Sequence, residues 1–142
     1  MTVTHQFFTA LVNRDAKTIA NCFSEQASIN DPAFGMLNTK EASAMWEMLF
    51  SRPSPGYHLT FEIISENESE ASINWVASYM FSKTGRKVIN SIHTDFELQD
   101  GKIVNQTDQF SLWNWSRQAL GIKGLILGKT SSSRMVINFS IL

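Results

Sequence analysis

The hydrophobic period changes once along the chain, near residue 57. Before that point apolar side chains recur every three or four residues, the spacing of one helix face. Phe7, Phe8, Leu11 and Val12 make the first such stripe, over residues 5–12. Asn13 and Arg14 interrupt it. Asp15 is placed to cap a second short helix whose stripe is Ile19, Ala20 and Phe23, flanked by Cys22. The short link makes these two helices antiparallel candidates. A short strand is expected near residues 27–31, ended by Pro32, with Phe34, Gly35 and Met36 turning back into the core. Thr39 is the expected cap of a third helix that carries Ala42, Met45, Trp46, Leu49 and Phe50 on one side. Pro53, Pro55 and Gly56 stop it.

From Tyr57 onward the alternation has period two. Residues 58–65 read as a strand. Residues 71–81 put Ile73, Trp75, Ala77, Tyr79 and Phe81 on one face, and Thr84 and Gly85 supply a turn. Residues 87–98 put Val88, Asn90, Ile92, Thr94, Phe96 and Leu98 on one face. Asp100 and Gly101 are a hairpin signal, and residues 103–110 return as a strand. These segments predict an antiparallel meander. A last helix is expected over residues 112–120, grouping Leu112, Trp113, Ser116 and Leu120, with Gly121 and Gly124 breaking it. Helices followed by a meander give an α+β domain. A twisted sheet wrapped on three helices forms a cone, and side chains do not fill its wide end, so a pocket is expected there.

The 142 residues fit one domain, 1–142, with residues 129–142 set apart as a tail or dimer contact. Twelve Lys plus Arg against thirteen Asp plus Glu leave a net charge of −1, which argues against a nucleic-acid partner. The single cysteine forms no intrachain disulfide. The opening MTVTHQFF lacks a signal-peptide pattern, and no apolar run is long enough for a membrane span, so a cytoplasmic protein is expected.

Glycine-rich phosphate loops, HExxH, CxxC and GxSxG are all missing, so no cofactor and no metal are expected. Cys22 reads as a buried inert thiol. His93 and Asp95 share a strand face, which reads better as a polar row with Ser91 and Glu97 than as metal ligands. Asp31 either caps the turn at Pro32 or presents its carboxylate to the pocket, where burial among Phe34, Met36 and Trp46 raises its pKa. Asp108 sits between Gln106 and Phe110 on one strand face and is a second pocket acid. Two carboxyls in unequal environments can divide acid and base work. Asn90 breaks an apolar face, either to bind a ligand or to tie two strands. Tyr79 offers a phenolic proton or packs in the core, and Trp46 and Trp75 share that ambiguity.

The segments FFTALVNRDAKTIANCFSEQASINDPAFG, EASAMWEMLF, ASINWVASYMFSKTGRKVINSIHTDFELQDGKI and DGKIVNQTDQFSLWNW resemble the NTF2-like superfamily, in its SnoaL-like and ketosteroid-isomerase-like branch. The resemblance covers about residues 5–128. It implies a cone-shaped fold with N-terminal helices on a strongly curved antiparallel sheet, an apolar pocket, and a homodimer. It implies pocket acids at Asp31 and Asp108, with Phe34, Trp46, Trp75, Asn90 and Phe110 as ligand contacts. Similar sequences read HxDxF in the last strand, where this chain has Gln106 in place of the histidine. Epoxide hydrolases of this group place an arginine between two acids, and neither Arg86 nor Arg117 is so placed, which disfavours hydrolysis.

Two functions follow as expectations. One is cofactor-free proton transfer on a small hydrophobic carbonyl compound, as in an isomerase or aldol cyclase, with Asp108 as base and Asp31 or Tyr79 stabilising the enolate. The other is a non-enzymatic small-molecule binding or dimeric interaction module.

Overall fold

The computed structural model describes residues 1–121; the expected break at Gly124 and the tail at 129–142 lie outside the described residues. Helix α1 spans Val3–Val12, and the Thr2 hydroxyl caps it by accepting from His5 N at 3.2 Å. Its end is a Schellman motif: Asp15 N donates to Ala10 O at 2.8 Å and Arg14 N to Leu11 O at 3.3 Å. That motif puts Arg14 at φ 56°, where glycine is usual. Helix α2, Ala16–Cys22, is capped by Asp15 as expected.

Strand β1 runs Phe23–Asp31, so Phe23 opens a strand rather than closing the α2 stripe. Gly35–Asn38 is a short strand, β2, pairing antiparallel with β1, where only a turn was expected. Helix α3 spans Thr39–Ser51. Its cap is Asn38, not Thr39, and a reciprocal capping box joins Asn38 to Glu41. Thr39 instead uses its hydroxyl to bridge β1, donating to Ser24 O at 2.7 Å and accepting from Ala27 N at 3.1 Å.

Strands β3 (His58–Glu66), β4 (Glu70–Phe81), β5 (Arg86–Gln99) and β6 (Lys102–Gln109) form the meander. At the β5–β6 hairpin Asp100 and Gly101 have φ 54° and 74°, both positive as a type I′ turn requires. Helix α4, Leu112–Leu120, follows. Its buried residues are Trp115, Ser116 and Ala119, which corrects the expected grouping of Leu112, Trp113, Ser116 and Leu120. The helix is turned by two contacts: the Trp115 ring meets Phe81 edge-on at 5.2 Å, and the Gln118 amide pairs with Ile89 N and O like a strand partner.

The strand order is β2-β1-β6-β5-β4-β3. All neighbours are antiparallel except β1 and β6, which run parallel, so the sheet is mixed where a wholly antiparallel one was expected. Alternation assigns faces to a strand but not its partner, and β1 reaches β6 only after the chain has crossed α3 and the meander. Register shifts in β1–β6, β3–β4 and β5–β6 add local bend and twist. The helices pack on the curved face around a core in which Phe7, Phe8 and Phe96 contact one another ring to ring. Among the described residues no helix is long and apolar enough to cross a membrane.

Candidate active site

Between α3 and the inward faces of β1, β4, β5 and β6 lies a cavity of about 220 Å3. The three side chains singled out for proton transfer, Asp31, Tyr79 and Asp108, all line it. So do the five singled out for ligand contact: Phe34, Trp46, Trp75, Asn90 and Phe110. Met36 does not belong to the apolar surroundings expected for Asp31. It pairs with Asn30 on the outer side of an edge hairpin and is 65% exposed.

The parallel β1–β6 pairing brings the two acids together. Its register joins Ile29 to Gln106 and Asn30 to Thr107, so the next step along both strands reaches Asp31 and Asp108. They lie close enough for the charge on Asp31 to raise the pKa of Asp108. Two carboxyls this near resist ionising together. Their environments are unequal. Asp31 Oδ1 accepts from two backbone groups, Ala33 N at 2.7 Å and Phe34 N at 3.0 Å, which favours the charged form. It thereby caps the turn and faces the cavity at once. Desolvation of Asp108, with the nearby Asp31 charge, pushes its pKa up from 3.8 to about 7. Neutral donors oppose the rise: Thr94 Oγ1 at 2.7 Å and Gln106 Nε2 at 3.0 Å, both to Oδ1.

Thr94 is held by the strand across from it. Trp75 Nε1 donates to Thr94 Oγ1 at 2.8 Å, which leaves the threonine proton for Asp108. Tyr79 is arranged similarly, since Trp115 Nε1 donates to its hydroxyl oxygen at 2.6 Å. Its own proton is therefore free to point elsewhere. Burial raises the Tyr79 phenol to about 12, so it stays a neutral donor. Burial also raises the Cys22 thiol to about 11, consistent with an inert core residue.

Two cavity residues, Gln106 and Arg14, and Thr94, which bonds to a cavity acid, were not singled out in the sequence. Thr94 looked like an ordinary strand residue because only its cross-strand pairing with Asp108 reveals its task. Gln106 is 3% exposed, and its Oε1 has no hydrogen-bond partner. Arg14, in the α1–α2 link, also lines the cavity. A charged residue in a polar turn gives no sequence signal of that kind.

The Ser91, His93, Asp95 and Glu97 row lies on the other sheet face. His93 Nε2 is 3.1 Å from Asp95 Oδ1, and its Nδ1 is 2.6 Å from Asn74 Oδ1. Ser72 Oγ also bonds to Asp95, at 2.5 Å. Among the described residues no three His, Cys, Asp or Glu side chains gather as a metal site.

Helices packed on a curved mixed sheet in this order make an NTF2-like α+β protein. A family model for the SnoaL-like domain matches residues 4–106, and the chain belongs to that family. No curated protein matches it. Among solved structures it is similar to a protein with a ketosteroid isomerase-like fold from Catenulispora acidiphila, in complex with trimethylamine. That pair has 14% identity and a TM-score of 0.69, covering 84% of this chain and 94% of the other. It is also similar to a candidate polyketide cyclase from a Silicibacter species, with 19% identity and a TM-score of 0.72, covering 82% and 92%. An LEH-like epoxide hydrolase from M. tuberculosis has 16% identity and a TM-score of 0.64, covering 96% and 93%. At these identities the likeness speaks for the fold.

Proposed function

We propose that the cavity binds a small hydrophobic carbonyl compound and moves a proton on it without a cofactor, as an isomerase or aldol cyclase does. One observation carries this reading: two carboxyls meet in one cavity, and only one is held by backbone donors. That asymmetry supports a division of labour opposite to the one expected from the sequence. Asp31, ionised, takes the proton alpha to the carbonyl. Asp108, protonated, donates to the oxygen as charge develops there. Tyr79 adds a second neutral donor, and Asn90 orients the substrate. The aromatic rings of Phe34, Trp46, Trp75 and Phe110 receive its apolar body. The acids' adjacent places on paired strands leave no arginine between them, which weighs against epoxide hydrolysis.

Exchange in heavy water tests this. A panel of cyclic and aryl ketones is incubated with the protein, and loss of alpha-proton signals is followed by NMR. The reading expects exchange above the protein-free rate for some member, lost in both Asp31→Asn and Asp108→Asn. No exchange with any member, or exchange unchanged in both variants, overturns it.

A second reading is binding without turnover. The orphaned Gln106 Oε1 favours it, since it waits for a ligand donor, as does the relative that holds trimethylamine. Under either reading the protein works as a cytoplasmic homodimer. The exposed Val76, Met80 and Ile89 on the outer face of β4 and β5 support that pairing.

A further inference from the structure

The geometry points to Arg14 as an anion anchor: the cavity takes a ligand with an apolar body and a carboxylate, and the guanidinium holds that carboxylate across from the acid pair. This rests on the proton-transfer reading only in taking the cavity as the substrate site, and it narrows the substrate to a carbonyl compound that is also an acid.

Arg14 lines the cavity and has no carboxylate partner among the described residues. Its guanidinium carbon sits 5.5 Å from the Phe50 ring centre and 5.3 Å from that of Tyr57, so two rings displace water from its faces. Nη2 is occupied, donating to Leu49 O at 3.3 Å and Arg52 O at 2.5 Å at the end of α3. Nε is buried with no hydrogen-bond acceptor. A partly desolvated cation with an unmet donor is costly unless an anion completes it.

The backbone adds a second argument. Arg14 occupies the position of the Schellman motif with φ 56°, where glycine is free of strain and a side chain is not. Capping α3 uses one nitrogen of the three. Arg14 borders the cavity beside Leu11, Leu49, Phe50 and Tyr57.

The sheet order sets the ligand's polarity. Arg14 stacks on Tyr57, immediately before edge strand β3, whereas Asp31 and Asp108 belong to β1 and β6 beyond β4 and β5. A carboxylate at Arg14 therefore projects its apolar middle past Trp46 and Trp75 and its carbonyl toward the acids. A guanidinium's planar fork of N–H donors matches the two oxygens of a carboxylate.

The test compares phenylacetate, 4-phenylbutyrate and cyclohexanecarboxylate with their primary amides and with inorganic phosphate. Dissociation constants come from calorimetry, and the Arg14 Nε–H resonance is followed by NMR. At least one carboxylate is expected to bind about tenfold or more tighter than its amide and to shift the Nε–H signal. Arg14→Met is expected to bring acid and amide within about twofold, and Arg14→Lys to keep part of the preference because it keeps the charge. Asp108→Asn is expected to keep the preference while losing heavy-water exchange, so the two readings fail separately. Three results overturn the assignment: no carboxylate binds, acid and amide bind alike, or phosphate binds more tightly than any carboxylate. Equal weakening of acid and amide in Arg14→Met, with no Nε–H shift in the wild type, also overturns it.

Discussion

Replacing Asp108 with asparagine tests the acid pair without a substrate. The amide keeps the shape of the carboxyl: its oxygen can still accept from Thr94 and Gln106, and its nitrogen can donate to Asp31. It cannot ionise. In the wild type a rise from 3.8 to about 7 is about a thousandfold in proton affinity, or roughly 4 kcal/mol between the two protonation states. The sign follows from linkage. Between these values the folded protein holds a proton that the unfolded chain has released, so folding stability falls as pH rises through that window. Below about pH 4 no penalty is present, and above about pH 7 it is complete. The variant removes this penalty. Urea denaturation of both proteins from pH 4 to pH 9 should show a wild-type decline of roughly 2–4 kcal/mol that is absent from Asp108→Asn. Near pH 8.5 the variant should be the more stable protein, with a melting temperature raised by roughly 5–10 °C. A wild-type profile flat from pH 4 to pH 8, or a variant less stable than wild type at pH 8.5, refutes the reasoning.

Thr94→Val removes a donor from Asp108 and leaves buried Trp75 Nε1 without an acceptor. It should cost about 1–3 kcal/mol in urea melts and raise the pair's apparent pKa, read from carboxyl 13C shifts. Gln106→Leu removes an orphaned acceptor along with a donor to Asp108, so thermal melts of the ligand-free protein should change by less than about 1 kcal/mol. Tyr79→Phe should strand Trp115 Nε1 and cost about 1 kcal/mol or more, and on any ketone that exchanges it should lower kcat more than it changes KM. Asn38→Ala opens the capping box of α3 and should cost about 1 kcal/mol with no effect on the pH profile.

The sequence by itself determined the elements and their faces. Helical spacing around Phe7, Phe8 and Leu11, the period-two run from Ile73 to Phe81, and the Asp100–Gly101 turn are local signals. Local physics sets them: one buried face per element, and a φ that few residues adopt. The same patterns placed Trp75, Tyr79, Asn90 and Asp108 on inward faces, so the candidate residues were legible as inward-facing ones. Short irregular stretches were less so, because Met36 and Thr39 owe their places to partners across a hairpin and a strand. The α4 face also depended on distant groups, Phe81 and the Ile89 backbone.

Tertiary structure decided which inward residues meet. The parallel pairing of β1 with β6 joins segments separated by most of the chain, and no periodicity encodes a partner at that distance. That pairing sets Asp31 beside Asp108, and burial there raises the Asp108 pKa. The curve of the sheet likewise brings Arg14, read from the sequence as a link residue, to the same cavity. Chemistry at this site depends on proximity and desolvation, and neither is a property of a residue in its sequence alone.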